Sequence, residues 1–145
     1  MKKLSPFGII LSMTVCCFFS CKTTTYTSDN LPEKQLYFGS GGGFTGLVNE
    51  YLLLENGQMF KVPSPGIYED MDKVKRKKAE AIYQDYKALG FEDLIFNQPG
   101  NMYYFIRMVD GETENYISWS DQRPLPEVKM MELYDSLVQT IPSAK

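Results

Sequence analysis

Two dipeptides, Asn56-Gly57 and Asp110-Gly111, constrain the fold of this chain more than any other feature. Each lies between runs rich in aromatic and branched residues. In that setting Asn-Gly or Asp-Gly marks a β-hairpin, because glycine enters positive φ without steric cost. Residues 47–54 alone read equally as helix or strand. Asn56-Gly57 decides for paired strands over 46–54 and 58–62, ended by Pro63 and Pro65. The second pair is expected over 103–109 and 115–120. A short strand over 35–38 comes before both, followed by a glycine turn over 39–43.

Each hairpin precedes a helical pattern. Met71, Val74, Ile82, Tyr86 and Leu89 share one stripe of a helix over 71–89, and Gly90 is a suitable stop. A second helix is expected near 127–141, with Pro126 in its first turn. Its stripe is Met130, Tyr134, Leu137 and Ile141, widened by Met131, Leu133 and Val138. The order hairpin–helix–hairpin–helix predicts an α+β domain: an antiparallel sheet of four to five strands with two helices on one face. The other face is then partly open. Tyr37, Tyr51, Tyr103, Tyr104 and Tyr116 fall on the strands, and tyrosine suits a half-wet surface. Alternation puts Ile117 and Trp119 on one face, with Trp119 expected in the core beneath the last helix rather than stacked on a ligand.

The N-terminus reads as a bacterial lipoprotein signal. Lys2 and Lys3 precede an apolar run over 7–19, and the small Ser20 stands before Cys21, the expected site of cleavage and lipidation. Phe18 takes the place where a branched aliphatic is usual. The run is short for a membrane span, which needs roughly 20 apolar residues. The expected organisation is a signal peptide over 1–20, a lipidated tether over 21–34 and one domain over 35–145. The lipid bilayer is thus the first expected partner. No acidic run follows Cys21, which favours an anchor on the outer membrane facing the periplasm.

Composition narrows the function classes. The full chain carries a net charge of −3 and no histidine. Without histidine there is no Ser-His-Asp triad, no Cys-His dyad and no His-ligated zinc. Cys16 and Cys17 leave with the signal, so no free thiol or disulfide is expected beside the lipidated Cys21. A mildly acidic domain is a poor match for nucleic acid, which needs a positive patch. The basic run over 73–78 reads as the solvated face of a helix. Glu69, Asp70 and Asp72 read as acids at a helix start, favoured by its dipole, rather than as calcium ligands. Gly41, Gly43 and Gly46 fit a G-x-G-x-x-G pattern, but a strand follows instead of the helix that a nucleotide site requires. Neither a nucleotide nor any other cofactor is implied, and no metal site.

Gly42-Gly43-Phe44-Thr45-Gly46 between two early strands resembles the Gly-Gly-Phe-Ala-Gly signature of emfourin-like domains, small protein inhibitors of thermolysin-like metalloproteases. The later order of helix, Tyr-rich hairpin and Leu-rich helix is similar over most of 35–141. Thr45 departs from the usual alanine, and the segment from the Asn56-Gly57 hairpin to Tyr68 is longer. The resemblance implies an α+β inhibitor whose partner is a protease.

These readings converge on a non-catalytic envelope lipoprotein that binds a protein partner, a metalloprotease in the sharpest version. The candidate surface is Gly41, Gly42, Gly43, Phe44, Thr45 and Gly46, with Phe44 either a packing anchor or an interface residue. A structural or accessory lipoprotein without inhibitory activity and a small carboxylate-based enzyme are the alternatives.

Overall fold

The computed structural model describes residues 24–90, 94–122 and 124–142. Cys21 and the signal segment lie outside the described residues. Seven strands and two helices follow in the order β1 (Lys34–Gly42), β2 (Leu47–Leu53), β3 (Met59–Ser64), β4 (Ile67–Asp70), α1 (Arg76–Ala88), β5 (Asn97–Gln98), β6 (Met102–Asp110), β7 (Thr113–Trp119) and α2 (Val128–Val138). They build one sheet in the order β4-β3-β2-β1-β6-β7-β5. β1 is central and antiparallel to both β2 and β6. Only β5 runs parallel to its neighbour, β7.

This mixed seven-stranded sheet overturns the expected four- to five-stranded antiparallel one. Two strands were not expected at all. β4 forms because Gly66, at φ 80°, turns the chain back along β3, where Tyr68 meets Phe60 edge-on at 6.1 Å. A strand therefore occupies residues expected to lead into the first helix, which begins only at Arg76. Glu69 and Asp70 lie on β4, and the first turn of α1 holds no acidic residue, so the dipole explanation for that cluster fails. β5 has only two residues, too few to show any periodicity.

The glycine run is also reassigned. Residues 39–42 continue β1 instead of turning, and the loop to β2 is 43–46. A backbone without side chains is required there. A Cβ on Gly39 would stand 2.0 Å from the Asn49 carbonyl oxygen, and one on Gly42 would stand 2.0 Å from that of Asn101. Pro63 lies within β3, beyond the last β2 pairing at Glu50–Val62, so its missing N–H breaks no bond to that strand.

Both hairpins form at their dipeptides, in different ways. Between Asp110 and Thr113 the loop is Gly111 and Glu112, with Gly111 alone at positive φ. Around Asn56-Gly57 the loop is longer. The Gly57 N–H donates to the Leu54 carbonyl, and Leu54 and Gln58 close the end, each bond at 2.8 Å for the two backbone contacts.

Each face of the sheet carries a core. On one, Leu36, Phe38, Leu53, Ile106, Ile117 and Trp119 pack against Ala79, Ile82, Tyr83 and Tyr86 of α1 and Met130, Leu133 and Leu137 of α2. Trp119 is buried and meets the Tyr134 ring edge-on at 5.2 Å. On the other, Tyr37, Leu52, Leu54, Phe60 and Val62 form a smaller cluster that no helix covers. The segment before β1 covers it instead, through Tyr26 and Leu31. These residues were expected to be a tether; the structure holds residues 24–31 against the domain.

Candidate functional site

The strands of β1, β2 and β6 end together at one pole of the sheet, where Gly42 pairs with both Leu47 and Met102. The 43–46 loop projects from that pole. Gly43 and Gly46 take positive φ of 74° and 63°, and the Gly46 N–H donates to the Gly43 carbonyl at 3.2 Å. The Gly43 N–H reaches across to the Asn101 carbonyl at 2.7 Å and ties the loop to the start of β6. A short loop closed by two backbone bonds is a rigid mount.

What it mounts is Phe44, whose ring is wholly exposed at 108% of its reference area. The packing-anchor reading of Phe44 is therefore excluded. Exposed apolar residues also end the neighbouring strands: Leu47 at 68% and Met102 at 50%, both paired with Gly42, and Val48 at 44%, opposite Gly41 on the other face. Isolated exposed apolar residues are ordinary, but several at one tip mark an interaction site. Thr45 and Gly46 are exposed within the same loop, and Gly41 is buried beneath it. The six residues singled out in the sequence thus divide: Phe44, Thr45 and Gly46 offer surface, while Gly41, Gly42 and Gly43 shape it.

On the helix-free face an aromatic layer leads away from the tip. Tyr103 lies across Gly41, whose added Cβ would meet the Tyr103 hydroxyl at 2.6 Å. Tyr103 neighbours Phe105 at 6.3 Å, and Phe105 stacks on Tyr116 at 5.8 Å. Next comes a charged band. Arg107 pairs with Glu50 at 2.8 Å and Glu114 at 3.6 Å, and its guanidinium lies 3.9 Å from the Tyr37 ring centroid. Burial raises the Tyr37 and Tyr116 hydroxyl pKa values above the ordinary 10.0, and for Tyr37 the Tyr68 hydroxyl at 3.1 Å adds to this. Neither is a phenolate at neutral pH.

A cleft of about 450 Å³ lies at the opposite pole between α1 and the β6–β7 hairpin. Lys34, Glu55, Asp110 and Glu114 contribute charges of both signs. Its tyrosine hydroxyls serve the fold: Tyr83 donates to the Leu53 carbonyl and Tyr86 to Asn115 Oδ1, both at 2.8 Å. Lys34 pairs with Asp110 at 3.4 Å on the exposed rim. The cleft offers an electrostatically mixed wall rather than a nucleophile beside a base.

The other sequence candidates are dispersed. In the basic run, Arg76 pairs with Glu80 at 2.7 Å and Lys78 donates to the Gln139 carbonyl at 3.4 Å. Among the described residues no three histidine, cysteine or carboxylate side chains gather as a metal site, and no helix is long and apolar enough to cross a membrane. Leu47, Val48 and Met102 were not singled out in the sequence. The available signal was the run 47–54, which is longer than a strand with one buried end requires. No family model and no curated protein matches this chain.

Proposed function

We propose that this protein is a non-catalytic lipoprotein of the bacterial cell envelope, anchored through Cys21, that binds a protein partner with the β1–β2 tip. The observation that carries the binding role is the wholly exposed Phe44 on a loop tied by the Gly46–Gly43 and Gly43–Asn101 bonds. An aromatic held this way enters a pocket without first losing backbone freedom, and such anchors dominate interface energies. Leu47, Met102 and Val48 add exposed apolar surface at the ends of the strands that carry the loop. The anchoring role rests on the order Lys2-Lys3, apolar run, Ser20-Cys21. The sharper form, inhibition of a thermolysin-like metalloprotease, rests on the resemblance of Gly42–Gly46 to emfourin-like domains.

The test is a pull-down from membranes with the mature chain and its Phe44→Ala variant, together with titration of both against thermolysin-like proteases. The intact chain retains a partner or blocks peptide cleavage, and Phe44→Ala loses that effect. Recovery of the same partners by both proteins removes the tip from the interface. Absence of inhibition at micromolar protein, across several such proteases, removes the inhibitor form and leaves binding to another envelope protein.

A further inference from the structure

The chain leaves the domain at the pole opposite Phe44. Gln58, buried in the Asn56-Gly57 turn, grips the Tyr26 backbone on both sides: the Tyr26 N–H donates to Gln58 Oε1 at 2.7 Å, and Gln58 Nε2 donates to the Tyr26 carbonyl at 3.0 Å. Asn56 Nδ2 donates to the Thr24 carbonyl at 2.7 Å and steadies Gln58 Oε1 at 2.8 Å. A turn between Thr27 and Asn30 and the packing of Tyr26 and Leu31 on the second core complete the attachment. The side-chain amide of Gln58 thus takes the place of a neighbouring strand.

Thr24 is only three residues from Cys21. Fully extended, three residues reach about 11 Å. β1 leads from this pole to the tip over nine residues, about 26 Å at the usual strand rise. A free tether over 21–34 would let the domain turn in any direction; a tether clasped at Thr24 does not. We propose that the Thr24–Tyr26 clasp seats the Asn56-Gly57 pole against the bilayer and presents Phe44 at the distal pole, to a partner approaching from the aqueous compartment and not to the membrane that carries the anchor. This inference rests on the Cys21 anchor and specifies how the tip is used. Both signs of charge occur at the clasped pole, with Lys73 and Lys75 near Glu55 and Asp72, so the short leash and not electrostatics sets the pose.

The lipidated full chain in phosphatidylethanolamine–phosphatidylglycerol vesicles supplies the test. Cys21 is acylated and the other two cysteines leave with the signal, so Thr45→Cys and Glu112→Cys each provide one labelling thiol, both at exposed loop positions. With nitroxide-bearing headgroups in the vesicles, the label at 112 is quenched strongly and the label at 45 weakly. A long Gly-Ser insertion between Lys22 and Thr23 abolishes the contrast without touching the clasp. Equal quenching at both positions in the uninserted chain overturns the orientation, and contrast that survives the insertion overturns the leash as its cause. Sedimentation with the vesicles reads the anchor separately: an intact chain that stays in the supernatant defeats the anchor itself.

Discussion

Tyr103 lies across the backbone of Gly41, its hydroxyl oxygen 2.6 Å from where a Gly41 Cβ would stand. Gly39, two residues earlier on the same face, is closed off differently, by the Asn49 carbonyl oxygen at 2.0 Å. The first obstacle is the end of a side chain and the second is backbone. Gly41→Ala should therefore displace the Tyr103 ring and cost about 1–3 kcal/mol, the usual range for overpacking. Gly39→Ala must push β2 away from β1 and should cost more. Urea denaturation of both variants gives the order; equal losses would show that the sheet yields as easily as the ring.

Leu137 is fully buried between α2 and the sheet. Leu137→Ala should lower stability by about 2–5 kcal/mol through lost burial and the cavity left behind. The midpoint of denaturant unfolding reports it. A change below 1 kcal/mol would place α2 in looser contact than described.

Burial raises the hydroxyl pKa values of Tyr83, Tyr134 and Tyr37 above the ordinary 10.0. Raised values mean that the folded state holds these protons after the unfolded state has released them. Stability from this source is complete below pH 10 and falls as the pH climbs beyond it. Melting temperature measured from pH 8 to 11.5 should be flat at first and then decline. Tyr134→Phe, which removes one titrating group along with its 3.0 Å bond to the Gly39 carbonyl, should lower the plateau and soften the decline.

Phe44 touches no core, so Phe44→Ala should leave the melting temperature nearly unchanged, within about 0.5 kcal/mol of stability. The same substitution should lower retention on hydrophobic-interaction chromatography, because a wholly exposed apolar ring is lost. A clear drop in melting temperature would mean that the ring folds back onto the sheet in solution.

What could be read in the sequence was whatever the neighbouring residues decide. Asn56-Gly57 and Asp110-Gly111 announced their hairpins because glycine's conformational freedom is local. The pairing of Ile117 with Trp119 on one face follows from strand alternation. β4 and β5 were not legible, because the first exists through a return at Pro65-Gly66 and the second through a parallel pairing with a strand some 20 positions later, at Ser118 and Trp119. The glycines at 39–42 suggested a turn in isolation; their place in β1 is set by the close approach of Asn49 and Asn101, which no local pattern encodes. The clasp at Gln58 was hidden for a similar reason. Polar residues such as Thr24 and Asn30 look unstructured until a partner 32 positions away, as with Tyr26 and Gln58, supplies the bonds. At the tip, the glycine motif was visible, but the exposure of Phe44 depends on where the strands stop.

The two rims of the sheet have a consequence for molecules confined to a plane. Under the proposed Cys21 anchor, copies diffuse in two dimensions and collide far more often than the same number in free solution. An unpaired strand rim would then seed stacking of sheet on sheet. Here one rim is the four-residue β4, with Glu69 and Asp70, and the other is the two-residue β5. Both rims are too short to offer a neighbour much ladder, and the acids of β4 also repel an identical rim. Copies brought close together by the proposed anchor therefore gain little from pairing edge to edge, and the exposed Phe44 tip stays open to a different protein in the proposed role.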